Sequence, residues 1–346
     1  MDQIELVPQE KPKKGKNLRY LIILVVLGLA VNFILPRLMD VNEGMQVLRN
    51  LTWWLVAAAA LSEIFVYLSY GFSLKSVLGI LGHKVSVFLS SLIFLSSTSV
   101  GTVAAGFVGS TATSISLFGK KGVKPVAATI SGLLPSMLSN IPICILGIIG
   151  MINLSLNNNL SQSLLIQYSV FIAILLLISF APFIGLAYPK AAFKVVNWVL
   201  WNWNRFRKKP YEPQDTQDRL DSVFNAWRLM GKGNWLGPLL GVSLYYIFEM
   251  TTLGLIIYAS GYPIKLGVLI AGYALPMIFA KVAFVIPGGI GLIETSMAAM
   301  FVSQAVPDGI ALASVMGFRL ISYWIPLLLG FLTYLILNRP PKNKKA

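Results

Sequence analysis

Six stretches of this chain, residues 21–35, 53–70, 126–152, 164–188, 235–259 and 310–337, are almost free of charge over lengths close to or beyond the ~20 apolar residues that carry a helix across a bilayer. In hydrocarbon the backbone finds no water, and a continuous apolar run meets that constraint by bonding to itself as a helix. Charged residues make up 12% of the chain and hydrophobic ones 56%, about half the charge of an average soluble domain. The expected fold is all-α: a polytopic helical bundle integral to the membrane.

The 28 Lys and Arg residues give a formal charge of +15. They lie between hydrophobic blocks instead of on an aromatic-decorated soluble module, which argues against nucleic acid and for an anionic membrane surface as partner. Sorted along the chain, 23 of the 28 fall in residues 1–19, 75–84, 120–124, 190–232 and 338–346. By the positive-inside rule these are cytoplasmic, placing both termini inside a cell (inner or plasma) membrane. The first apolar run follows Lys11, Lys13, Lys14, Lys16 and Arg19 and leads into Pro36-Arg37-Leu38-Met39, which lacks a small-x-small cleavage pattern. It reads as a retained first helix.

This sorting divides the chain. A basic tail at 1–19 precedes a first transmembrane half at 20–189, an amphipathic cytoplasmic linker at 190–233, a second half at 234–337 and a basic tail at 338–346. Residues 85–118 must start and finish on the same side, so they form either two short crossings or a hairpin that enters and turns back. Ser96-Ser97-Thr98-Ser99-Val100-Gly101-Thr102 in its middle combines poor helix formers with hydroxyls that compete for backbone bonds, favouring a broken, re-entrant element. In the second half, Pro287-Gly288-Gly289-Ile290-Gly291 breaks a corresponding hairpin at 266–306. Each half thus reads as helix, broken hairpin, long helix, inserted from opposite faces as an inverted repeat. Residue matches between the halves are sparse, Ser139 with Ser322 and Gly147 with Gly330 among them.

The linker opens with Trp198, Trp201 and Trp203 beside Arg205, Arg207, Lys208 and Lys209. That pattern fits a helix lying on an anionic lipid surface, or equally the interfacial end of the preceding span. Its acidic residues Glu212, Asp215, Asp218 and Asp221 are interleaved with polar ones in a solvated segment, a poor metal site.

One cysteine, Cys144, and one histidine, His83, build neither a disulfide nor a zinc site nor a Cys/His catalytic pair. No P-loop glycine pattern is present. No metal or cofactor is expected. Ionisable residues within spans are costly in lipid and usually face water, a partner or a substrate. Glu63, Glu249, Lys281, Glu294 and Arg319 qualify. Glu294 follows the Pro-Gly-Gly break and Arg319 lies in the last long helix, so the two can form a buried pair. In the functional reading Arg319 or Lys281 engages a lipid phosphate while Glu294 holds the cation or takes a proton. The alternative is an ion pair that only braces the broken helix. Gly288, Gly289 and Gly291 offer close backbone approach and amide donors at a half-helix start. Ser99 and Gly101 mark the corresponding break in the first half.

The run Phe284-Val285-Ile286-Pro287-Gly288-Gly289-Ile290-Gly291-Leu292-Ile293-Glu294, then Gly317-Phe318-Arg319-Leu320-Ile321-Ser322-Tyr323-Trp324-Ile325-Pro326 and Gly330, resembles the second-half signature of the lysylphosphatidylglycerol synthase transmembrane-region family, also called flippase-like membrane proteins. The resemblance implies a membrane domain that moves or presents a lipid, with the family's carboxylate and arginine falling on Glu294 and Arg319. In aminoacyl-phosphatidylglycerol synthases this region is the flippase part, and relatives are tied to polyprenyl-linked sugars and other envelope lipids. The chain departs from the family in having no counterpart of the cytoplasmic aminoacyl-transferase domain. It also carries an uncharged stretch at 96–113 where many relatives place proline and charged residues.

The expected function is that of a lipid translocase, flippase- or scramblase-like, handling an anionic phospholipid or polyprenyl-linked headgroup in an interior groove. Two alternatives come from other classes: an integral-membrane transferase acting on a lipid-linked donor, and a non-transporting scaffold that docks an envelope-lipid enzyme through the linker.

Overall fold

The computed structural model describes residues 51–103, 106–156, 162–207, 221, 235–282 and 287–339. The first apolar run, residues 208–220 and 222–234 of the linker and both basic tails, apart from 338 and 339, lie outside them. Regular structure among the described residues is helical throughout. In chain order the helices are α1 (Trp53–Ile80), α2 (Val87–Val103), α3 (Gly106–Gly119), α4 (Pro125–Leu138), α5 (Asn140–Leu156), α6 (Gln162–Ala187) and α7 (Pro189–Arg207). After the linker come α8 (Leu236–Ala259), α9 (Leu266–Val282), a 3₁₀ turn (Pro287–Gly289), α10 (Leu292–Ser303), α11 (Asp308–Arg319), a π-helical turn (Leu320–Trp324) and α12 (Ile325–Leu337).

Among the described residues, five helical stretches are long and apolar enough to cross a membrane: α1, α4 with α5, the first part of α6, α8, and α11 through α12. The protein is an all-α polytopic membrane protein. Helices α2 and α9 have 17 residues each. At 1.5 Å per residue they reach about 25 Å, short of the ~30 Å hydrocarbon core. They are the first arms of the two hairpins.

Sequence and structure part at four places. The stretch 96–102 expected to break the first hairpin, with Ser99 and Gly101 as its marks, lies inside α2, which stays helical from Val87 to Val103 because the hydroxyls of Ser96, Thr98, Ser99 and Thr102 bond the carbonyls four residues before them and leave the backbone ladder intact; α3 begins at Gly106. The turn expected from Lys75 begins only at Leu81, because α1 continues to Ile80 with Val77 and Leu78 fully buried against the core. Gly82, at φ +81°, then closes the helix, and His83 N–H donates to Leu78 O at 2.8 Å. The apolar run 126–152 is interrupted at Ser139. Pro142 has no N–H for the carbonyl of Leu138, so the helical ladder restarts. The last span likewise widens into a π turn just before Pro326, whose missing N–H falls on Ser322.

Helices α1 and α8 run antiparallel along their whole length. Thr52 N–H donates to Ala259 O at 3.0 Å, Ser62 Oγ to Phe248 O at 3.0 Å and Ser73 Oγ to Pro238 O at 2.8 Å. Gly241 permits this closeness, since a Cβ there would stand 2.7 Å from both Ser69 O and Ser73 N. Small residues at such seams let helices gain packing contacts that lipid tails cannot supply.

The hairpins are exchanged: α2 of the first half packs on α12, and α9 of the second half on α5. Gly330 lies against Ser99 and the carbonyl of Leu95, while Gly147 lies against Ile278. The chain offset that matches Gly147 with Gly330 also matches Leu95 with Ile278, so the two seams are counterparts. Antiparallel α1 and α8 with exchanged hairpins is the arrangement two oppositely inserted halves produce. Buried apolar side chains gather in two main clusters, one around Leu78, Phe118 and Leu134, the other around Tyr273, Phe301 and Phe318. The polar site lies between them.

Candidate functional site

The site begins with the break after α9. Gly288, Gly289 and Gly291 have φ of +65°, +62° and +82°, a region that only glycine enters without steric cost. At Gly288 a side chain would also collide with the Tyr323 ring, whose atom Cζ would stand 2.6 Å from the added carbon. This turn aims the start of α10 at the π turn that follows α11.

Glu294 sits in the first turn of α10. Its Oε2 accepts the N–H of Gly291 at 2.7 Å, the carboxylate half of a capping box. Its Oε1 accepts Arg319 Nε at 2.7 Å. Arg319 Nη2 donates to Gly288 O at 2.9 Å, and the guanidinium lies over the Tyr323 ring at 4.1 Å. Arg319 and Glu294 are 4% and 2% exposed. A buried ion pair survives only when its remaining hydrogen-bonding capacity is also met. Here the backbone of the glycine turn meets it on both sides, so one pair fastens the broken hairpin to the last span.

Lys281, in the last turn of α9, has a different setting. Its ammonium donates to Asn140 Oδ1 at 2.8 Å and Ser139 Oγ at 3.2 Å, at the break between α4 and α5, and stands 5.8 Å from the Tyr246 ring centre. Asn140 is itself anchored, donating to Ser179 Oγ at 2.9 Å. No carboxylate lies within 4.0 Å of Lys281 among the described residues. Its charge is solvated by neutral oxygens and an aromatic face. Glu249 is the mirror case: Tyr245 donates to its Oε1 at 2.8 Å and Tyr273 to its Oε2 at 3.0 Å, and among the described residues no cation is bonded to it.

These groups surround one cavity of about 220 Å³ drawn from both halves. Thr98, Ser99 and Thr102 of α2 face Glu249, Lys281 and Arg319 across it, and Tyr67, Tyr245, Tyr246, Tyr273 and Tyr323 supply an aromatic wall. Of the residues singled out from sequence, Arg319, Lys281, Glu249 and Ser99 line the cavity. The others stand elsewhere. Glu294 lies behind Arg319 with both oxygens engaged, so it positions the arginine. Gly288, Gly289 and Gly291 shape the turn, and the Gly291 amide expected to be free for an anion is held by Glu294. Gly101 lets α2 and α3 touch, a Cβ there meeting Gly106 O at 2.7 Å. Glu63 faces a separate, apolar groove.

The sequence reading missed Ser139 and Asn140, which hold Lys281, and the tyrosines. A signal existed for both. Ser-Asn-Ile-Pro interrupts an apolar run where a hydroxyl and an amide have no business unless something polar faces them. Tyr67, Tyr245, Tyr246 and Tyr273 sit deep in spans, whereas tyrosines that only anchor a helix sit at its ends.

The family model described as Lysylphosphatidylglycerol synthase TM region matches residues 18–330. Among individual proteins, the chain is 31% identical over 120 residues to the inner membrane protein YbhN of Escherichia coli, covering 35% of this chain and 30% of that one. It is 30% identical over 101 residues to the UPF0104 membrane protein MJ1595 of Methanocaldococcus jannaschii, covering 29% and 30%, respectively. It is 44% identical over 61 residues to the UPF0104 membrane protein PH1989 of Pyrococcus horikoshii, covering 18% and 16%. The matched parts thus span less than a third of each of these relatives.

Proposed function

Starting from the fact that this chain belongs to the Lysylphosphatidylglycerol synthase TM region family of membrane proteins, we propose that it translocates a lipid, sheltering an anionic phospholipid or lipid-linked headgroup in the cavity between its halves. The observation that carries the reading is Lys281: a cation lining an intramembrane cavity with neutral partners only. Ionisable groups at membrane depth mark substrate paths because lipid alone gives them no solvation. A phosphate entering the cavity meets the ammonium directly and the cavity edge of Arg319, whose orientation Glu294 fixes in advance. Desolvating a charged headgroup in hydrocarbon is the main barrier to its crossing. Hydroxyls of α2, the five tyrosines and two cations replace the lost water. The basic segments keep both termini on the cytoplasmic side in this reading, and the acyl chains stay in the bilayer.

The test is movement of a fluorescent anionic phospholipid between leaflets of reconstituted vesicles. Wild type should accelerate it over protein-free vesicles. Lys281→Met, which keeps side-chain length and leaves Ser139 and Asn140 to bond each other's neighbours or water, should slow it about tenfold, the equivalent of one charge-assisted hydrogen bond. A wild-type protein no faster than empty vesicles, or a Lys281→Met variant with undiminished rate, sinks the proposal. Conversion of a lipid-linked donor into a new product in the same vesicles would move the reading to a transferase.

A further inference from the structure

A second hollow, of about 250 Å³, lies beside the polar cavity. It is walled by α1, α2 and the π turn with α12, and its lining is almost wholly apolar, Ile64, Leu92, Leu95, Ile321 and Leu329 among it. Tyr67 lines both spaces. The same elements serve both sides. From α2 the cavity takes Thr98, Ser99 and Thr102 while the groove takes Leu92 and Leu95. From the π turn the cavity takes Ser322 and Tyr323 while the groove takes Ile321.

One ionisable residue stands in this lining. Glu63 stands one helical turn before Tyr67 on the same face of α1, is 5% exposed, and both its carboxyl oxygens lack a hydrogen-bonding partner among the described residues. Thr252 stands beside it, but the threonine hydroxyl is donated to Phe248 O at 3.0 Å. Leaving a buried polar group unpaired is costly, since the water it gave up is not replaced. Glu249, across Tyr67, has the same chemistry with both oxygens filled. Of the two acids, Glu249 is fully bonded, while Glu63 has, among the described residues, only Thr252 near it, whose single hydroxyl hydrogen Phe248 O already takes.

We propose that this groove seats a hydrocarbon chain of the transported lipid, with Glu63 receiving a hydroxyl or ammonium donor from the lipid's polar part where it bends past Tyr67. This deepens the translocase reading and rests on it: the phosphate lies at Lys281, the chain beside α2 and α12, and Tyr67 is the post between them. A polar cavity and an apolar groove of similar size that meet at a shared Tyr67 fit an amphiphile and no water-soluble ion. The Glu63 requirement narrows the class further, to lipids whose headgroup carries donors besides the phosphate, such as a glycerol or an amine.

The experiment uses the full chain in vesicles containing a phosphatidylglycerol with a photoactivatable group on its acyl chain, followed by mass spectrometry of the labelled peptides. Labelling should concentrate on peptides containing Leu92, Leu95, Ile321 and Leu329 over those of the outward face of α6, around Leu177 and Ile178. Ala60→Trp, which fills the groove from its lipid side, should remove that excess and slow leaflet exchange together. Glu63→Leu should slow exchange of phosphatidylglycerol about tenfold, Glu63→Gln much less because it still hydrogen-bonds, and phosphatidylmethanol, a phosphodiester without a headgroup donor, should respond to neither. Labelling no greater in the groove than on α6, or exchange unaffected by Ala60→Trp, overturns the groove whatever the protein transports. Groove labelling without any leaflet exchange in wild type would instead overturn the translocase reading and leave a lipid-binding groove standing.

Discussion

The two hairpins occupy equivalent places and are held by different chemistry. In the second half the break is fastened by charge: Glu294, Arg319 and the backbone of Gly288 and Gly291 form one bonded group. In the first half hydroxyls turn back on their own helix, with Ser99 also reaching Pro326 O of α12 at 3.3 Å. Ser91, Ser96, Thr98, Ser99 and Thr102 each donate to the carbonyl four residues earlier, at 2.8–3.0 Å. The offset that aligns the two helix seams places Thr98 opposite Lys281 and Ser136 opposite Arg319. Repeated architecture thus needs no repeated chemistry. A single charged half suffices for a shared cavity if the other half presents hydroxyls to it.

The widest gap between the halves is expected at the ion pair. Arg319→Ala leaves Glu294 buried with one oxygen unpaired and Gly288 O without its donor. A loss of about 3–5 kcal/mol follows from breaking such a pair, read as a collapse of thermal stability in detergent. No single replacement by alanine of Ser91, Ser96, Thr98, Ser99 or Thr102, the hydroxyl residues of α2, should match it. If one does, the second hairpin is not the more tightly fastened of the two.

Next come the glycines. Gly288→Ala adds left-handed strain of about 1–2 kcal/mol to a collision with the Tyr323 ring. Gly106→Ala at the first break, with φ +58° and no atom within 4 Å of the added carbon, should cost the strain alone. Melting curves of the two variants side by side test this; equal shifts would mean the Tyr323 contact yields freely.

The exchanged seams give a smaller contrast. Gly330→Ala meets the Leu95 carbonyl and Ser99, which are backbone and a short side chain, whereas Gly147→Ala meets the flexible end of Ile278. Overpacking of about 1–3 kcal/mol is expected for the first and less for the second. Urea or heat denaturation of both variants would show whether the ordering holds.

The smallest effect belongs to the first hairpin. Ser96→Ala removes a hydroxyl bonded only within its own helix, at 2.8 Å to Leu92 O, and should shift stability by less than about 0.5 kcal/mol in either direction. A large loss would show that these serines do more than satisfy themselves.

Much of the fold was legible because lipid permits so few solutions. The long apolar runs announced the spans, and the Pro-Gly-Gly-Ile-Gly run announced the break before α10. The Glu294 and Arg319 pairing followed from the cost of leaving either alone. What could not be read was local. Lys75 sits within α1 because burial of Val77 and Leu78 outweighs the pull of a positive residue toward a turn. Ser139 and Asn140 were hidden in an apolar run because their partner, Lys281, lies 141 residues away from Asn140 in the chain. The tyrosines were overlooked because an aromatic ring in a span satisfies the hydropathy pattern equally well whether it faces lipid or a cavity.

Three hydrogen bonds at the start, middle and end of α1 tie it to α8, while α2 is lashed to α12 and α9 to α5, each in the opposite half. Displacing either half therefore drags the other's hairpin with it, so the α1–α8 pair and the two crossed hairpins mechanically couple the halves.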